Sequence, residues 1–200
     1  GYIPRFTNLK HNDLNFIRGY AFDFHSGGTP NAELIPAYGE QLVKQLADLQ
    51  GAAFSMTTMG EGLPRYENKV SIHPTLKDSW GIPCLHIEQK YTDNEFNMAK
   101  HAMETGAAAA EGAGFEVLAK HWEMVPPGES IHELGTCRMG ADPKKSVLNK
   151  WNQAHDVKNL FVLDGSAFAS GGAQNPTLTI LALTMRASEY LIEQRKKGNA

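Results

Sequence analysis

The residues best suited to chemistry lie in the last third of the chain. There His132 opens His132-Glu133-Leu134-Gly135-Thr136-Cys137-Arg138-Met139-Gly140, and Asn175 opens Asn175-Pro176-Thr177-Leu178-Thr179-Ile180. A histidine can act as base or acid near neutral pH, and the small side chains of Gly135-Thr136 let backbone or a flat ligand come close. Asn175-Pro176 has the residue types of a helix start, with an N-cap and a proline at the first helical position. A helix from Pro176 to about Arg195 would therefore present free amides and a positive dipole end, which stabilise nearby negative charge. Between the two motifs, Leu160-Phe161-Val162-Leu163 predicts a buried strand that stops at Asp164-Gly165-Ser166. A buried strand of an α/β sheet delivers polar groups to the crevice at its carboxyl end, where nucleotides bind.

Each feature also has a plain structural explanation. Most capped helices hold no anion, and Asp164-Gly165 equally suits an ordinary turn. Each of the eight histidines, taken singly, is more often a surface or hydrogen-bonded residue. Cys137, five residues after His132, raises a cysteine nucleophile with Asn175 as orienting residue, yet a small buried cysteine is the commoner case. A zinc site from His132, Cys137 and His155 lacks a fourth ligand and a usual spacing, so no metal is expected.

The elements that must position these residues follow from pattern. Two hundred residues, 42% hydrophobic and 20% charged, suffice for one or two domains with a real core. A net charge of -3, with no Lys/Arg cluster beyond Arg195-Lys196-Lys197, makes nucleic acid a poor partner. Cys84 and Cys137 are too few for a disulfide scaffold, and no apolar run reaches the roughly 18 residues of a membrane span. The chain reads as soluble, in a periplasmic or cytoplasmic bacterial setting that the sequence does not resolve. Its Gly-Tyr-Ile-Pro start, without methionine, fits a processed or excised piece.

Asn15–Phe24 predicts a strand, Ile35–Gln50 an amphipathic helix that docks on a sheet, and Ala52–Met59, Glu67–His73 and Cys84–Tyr91 three further strands. A helix is predicted from Asn94 to the glycines at 112 and 114, then a strand over Phe115–Trp122, with a domain junction near residue 130.

In combination, His132-x-x-Gly135-Thr136-x-Arg138-Met139-Gly140-x-Asp142-Pro143, Ser146-Val147-Leu148-Asn149, Val157-x-Asn159-Leu160-Phe161-Val162, Asp164-Gly165-Ser166 and Asn175-Pro176-Thr177-Leu178-Thr179 resemble the C-terminal signature of glucose-methanol-choline oxidoreductases. These are FAD-dependent alcohol and sugar oxidases and dehydrogenases. The resemblance implies an α+β chain. Residues 1–130 would form an antiparallel or mixed β-sheet substrate domain with packing helices, and residues 131–200 the C-terminal strand-helix portion of a Rossmann-like FAD-binding domain. It implies His132 as the base that takes the alcohol proton and Asn175 as its partner on the alcohol oxygen. Asp164 and Gly165 would lie near the ribityl and phosphate region of FAD, and the amides of Thr177 and Leu178 near the flavin's pyrimidine end.

The expected substrate is a small alcohol, with sugar or polyol preferred by likeness to bacterial sugar dehydrogenases of the family. The family's G-x-G-x-x-G opening is not found here, so the implied partner is a missing N-terminal part of the same protein. Without it the chain is expected to bind FAD poorly and to show no turnover. The rival reading is a non-catalytic carbohydrate-binding or interaction module that retains the motif as a fold element.

Overall fold

A computed structural model describes residues 1–11 and 13–199. The chain forms two compact units. Unit 1 comprises Gly1–Glu61, Thr92–Met124 and Gly172–Gln174; unit 2 comprises Gly62–Tyr91, Val125–Gly171 and Asn175–Ala200.

Unit 1 is built on a three-stranded antiparallel sheet in the order β1 (Tyr2–Ile3), β2 (Tyr20–Gly28), β3 (Ala53–Gly60). Tyr20, Ala21 and Phe22 of β2 are buried, and Phe16, Tyr20 and Phe22 pack with Met98 and Ala102 of helix α2 (Asp93–Gly112). The helix starts where the Thr92 N–H donates to the Glu95 carboxylate at 2.8 Å, which occupies a donor at an end that has no intrahelical acceptor. A glycine inside a helix costs about 1 kcal/mol relative to alanine. Gly106 is there because a Cβ would sit 3.1 Å from both Phe22 and Met56 of the sheet.

Three expectations in this unit need correction. Helix α1 spans only Gly39–Asp48 and buries no residue, rather than running from Ile35 and docking on a sheet. Pro36 accounts for the late start, because the residue before a proline is pushed out of the α region and Ile35 is extended at φ -100, ψ 119. Phe115–Trp122 is not a strand. Its aromatics pack singly, Phe115 edge-on to Phe54 and Trp122 edge-on to Phe96, so the apolar signal is met by side chains without a backbone ladder. The strand predicted from Asn15 begins at Tyr20, after a turn in which Arg18 is left-handed at φ 69.

Unit 2 contains the hairpin β4 (Lys69–Lys77) with β5 (Pro83–Glu88), close to prediction. Its core joins Leu148, Ala154 and Ala167 with the half-buried Cys137, Met139 and Val162, so Cys137 is a small core side chain. Helix α3 (Thr177–Lys196) closes the chain, with Arg195 and Lys196 in its last turn, where cations suit the dipole.

The buried strand predicted over Leu160–Leu163 is not formed. That run makes one isolated antiparallel bridge, Gln153 with Phe161, and Leu160 is exposed. A strand needs ladder partners for its backbone groups. Here the cross-chain backbone bonds come from 152–154, through Ala154 N–H to Leu160 O at 2.9 Å and Val162 N–H to Asn152 O at 3.0 Å, while Leu160 N–H turns back to Val157 O at 3.0 Å. Among the described residues, no helix is long and apolar enough to cross a membrane.

Candidate active site

All the candidate residues belong to unit 2. The segment after His132 is seated first by its backbone. Gly135 N–H donates to Gly165 O at 3.3 Å, Cys137 N–H to Ser166 O at 2.9 Å and Met139 N–H to Ala167 O at 2.9 Å. Gly135 takes φ 90, a conformation that glycine adopts without strain. The seat is then locked by a side chain. A Cβ on Gly165 would lie 2.5 Å from Leu134, and one on Gly171 would also lie 2.5 Å from Leu134. Leu134 therefore fills the space that both glycines leave. The side chain that Gly165 lacks is thus replaced in space by Leu134.

The same corner holds the start of α3. The Gly165 Cβ position is 3.6 Å from Ile180, and Thr184 Oγ1 donates to Leu163 O at 3.1 Å. The His132 segment, Asp164-Gly165 and the first turns of α3 are thus tied together by direct contacts.

His132 is half-buried, and its only hydrogen bond among the described residues runs from its backbone N–H to Ser130 Oγ at 3.3 Å. Its ring nitrogens remain open to a ligand. Asn175 is exposed and does not cap the helix as expected. Pro176 is already helical at φ -85, ψ -12, and the first helical bond closes from Ile180 N–H to Pro176 O at 3.0 Å. The amides of Thr177 and Leu178 lie ahead of that bond and lack an intrahelical acceptor, and Leu178 is 79% exposed. Asp164 is exposed, with one carboxylate oxygen accepting from both the N–H and the hydroxyl of Ser166, so that oxygen shapes the local turn.

One group that the sequence reading passed over stands beside His132. Ser130 N–H and Ser130 Oγ–H both donate to Glu133 Oε1, at 3.0 and 2.9 Å. Burial alone pushes the Glu133 carboxyl up. Hydrogen bonds from backbone amides and the Ser130 hydroxyl, together with nearby His132, outweigh burial and hold it below the ordinary carboxylate range. Ser-x-x-Glu is the spacing of a helix capping box. It was visible in the sequence, but no helix follows it. Between the two residues Ile131 is left-handed at φ 58, an outlier for a β-branched residue.

Two alternatives are not assembled. Among the described residues no group of three or more His, Cys, Asp and Glu side chains could hold a metal ion. His155 Nε2 instead lies 3.1 Å from Ser146 Oγ and 3.2 Å from Gly140 O. An open cavity of about 380 Å³ sits against Met139, Lys150, His155 and Arg186 and includes none of His132, Asp164 or Asn175. Concavity therefore does not point to these residues.

Known proteins resemble this chain in sequence and fold. The family model described as GMC oxidoreductase matches residues 64–184. A 2-methyl-1,2-propanediol dehydrogenase of Mycolicibacterium austroafricanum is 42% identical over 178 residues, covering 89% of this chain and 32% of that protein. A gluconate 2-dehydrogenase flavoprotein of Pantoea cypripedii is 28% identical over 211 residues, covering 96% and 33%. Among solved structures, a pyridoxine 4-oxidase from Mesorbium loti has a similar fold, with a TM-score of 0.51 at 21% identity over 86% of this chain and 34% of that one. The chain spans about a third of the length of the curated relatives it matches. With motifs, fold and a family model over most of its residues in agreement, the chain belongs to the GMC oxidoreductase family.

Proposed function

We propose that these residues form the C-terminal part of an FAD-dependent oxidoreductase that oxidises a CH–OH group of a sugar, polyol or other alcohol. Residues 1–130 would serve mainly as substrate-binding sheet, and residues 131–200 would return to the flavin-binding domain. The observation that carries the reading is the corner of unit 2 where the backbone of the His132 segment is bonded to 165–167 and Thr184 of α3 donates to Leu163 O. The names of relatives support it: one is a diol dehydrogenase and another a flavoprotein acting on gluconate.

The residues present suit a flavin. The amides of Thr177 and Leu178 have no intrahelical acceptor and sit at the positive end of a 20-residue helix, where negative charge is stabilised. Asp164 and the backbone at Gly165 would serve the ribityl and phosphate portion. When bound, the flavin supplies the acceptor for the hydride that leaves the alcohol carbon. His132 takes the hydroxyl proton at an open ring nitrogen, and the Asn175 amide donates to the alcohol oxygen and holds it in line.

The test uses the full-length protein that carries these residues. His132→Ala should slow flavin reduction by alcohol about 100-fold or more while flavin stays bound, the scale of lost general-base catalysis. Reduction at the unaltered rate would reject the assignment.

A further inference from the structure

We propose that Ser130 and Glu133 are positioning residues for His132: a Ser-x-x-Glu clamp, closed across a left-handed Ile131, that fixes the direction in which the imidazole leaves its loop. The inference rests on the reading of His132 as the base. The loop is pinned at both ends and strained in the middle. At its far end Leu134 is wedged between Gly165 and Gly171, and Gly135 N–H is bonded to Gly165 O. At its near end Glu133 Oε1 accepts from both the backbone and the hydroxyl of Ser130, and Ser130 Oγ in turn accepts from His132 N–H. Those three hydrogen bonds bracket His132 on both sides.

Ile131 shows that the bracket holds the chain against its own preference. A left-handed L-residue is strained, and a β-branched one tolerates that region least. Its side chain is 87% exposed, so burial offers no compensation at that position. The offset must come from neighbours, and the neighbours that bridge position 131 are Ser130 and Glu133. Opened, the clamp would let Ile131 relax to extended backbone and swing the peptide that precedes His132. Strained backbone concentrates where geometry serves function.

The clamp needs an acceptor at Oε1, which makes it separable from a general need for a side chain at 133. Glu133→Gln keeps a carbonyl oxygen there and Glu133→Ala does not, while Ser130→Ala removes the hydroxyl that donates to Oε1 and accepts from His132 N–H. Glu133 is exposed, so these changes leave the core untouched.

In the isotopically labelled 200-residue chain, NMR of the His132 ring and of the amides of 130–133 reads the loop directly. Both alanine variants should shift and broaden these signals while the rest of unit 2 is unchanged, and Glu133→Gln should stay close to wild type. His132 signals unmoved by the alanine variants, or equally disturbed by Gln and Ala, would overturn the clamp. In the full-length protein the alanine variants should slow flavin reduction about 10- to 100-fold, the cost of misplacement by around 1 Å, with Glu133→Gln restoring most of the rate. If His132→Ala left reduction intact, the catalytic reading would fall, while the NMR comparison would still decide the clamp.

Discussion

A β-branched residue held left-handed, exposed and one position before the candidate base marks where local strain has been accepted. Ile131→Gly should therefore stabilise the chain by about 1 kcal/mol, the relief of left-handed strain less the entropy of an added glycine. Urea unfolding of unit 2 measures it, and a destabilised variant would contradict the argument. The same loop carries a pH dependence. Glu133 has its folded-state carboxyl below the ordinary value, so its contribution is present above the unfolded pKa and lost as pH falls through the depressed folded one. The Ser130 amide shift, followed from neutral to acid pH, should hold steady at pH 7 and move only below the ordinary carboxylate range. The start of α3 was legible in the sequence to within a residue because helix-start residues are local signals, although Pro176 rather than Asn175 takes the cap position. The clamp was missed because its spacing suggests a helix that is not there, and the strain at Ile131 depends on φ, which no residue type at that position announces.

At the level of elements, local patterns succeeded where a segment makes its own partners and failed where partners come from elsewhere. The helices α2 and α3 and the hairpin β4–β5 appear close to expectation, since capping, helical spacing and short links decide them. Ile35–Gln50 failed at its start because Pro36 overrides the apolar period. Leu160–Leu163 and Phe115–Trp122 failed because an apolar run records a wish to be buried but not whether a ladder is available.

Packing between the elements of the candidate site yields a sharper test. Gly165→Ala would place a methyl against Leu134, which cannot withdraw because Gly171 confines its other side. The substitution should cost about 1–3 kcal/mol, as overpacking does. Leu134→Ala added to it should recover part of that loss, so that the two changes are strongly non-additive in chemical denaturation. Additive losses would show that the slot does not exist.

On the scale of the molecule, the chain shows apolar surface that isolated proteins rarely leave open. Val70 with Ile87 and Ile72 with Leu85 are cross-strand pairs of the hairpin, and all four are exposed. Leu178, Leu181, Met185 and Ile192 are exposed along α3. Surfaces of this kind mark contacts, and they fit a chain spanning about a third of its relatives' length. The purified 200-residue chain should consequently bind a hydrophobic dye such as ANS and fail to retain FAD after gel filtration. A yellow eluate bleached by alcohol would refute the second expectation.

The division into units carries a consequence for synthesis. Unit 1 draws its last contribution from Gly172–Gln174, and Tyr2 Oη donates to Ala173 O at 3.0 Å. A ribosome making this chain releases the partner of residue 2 only after nearly everything between has emerged. Because contacts so distant in sequence form slowly, unit 1 is completed only after Gly172–Gln174 have emerged, later than its sheet and helix can form.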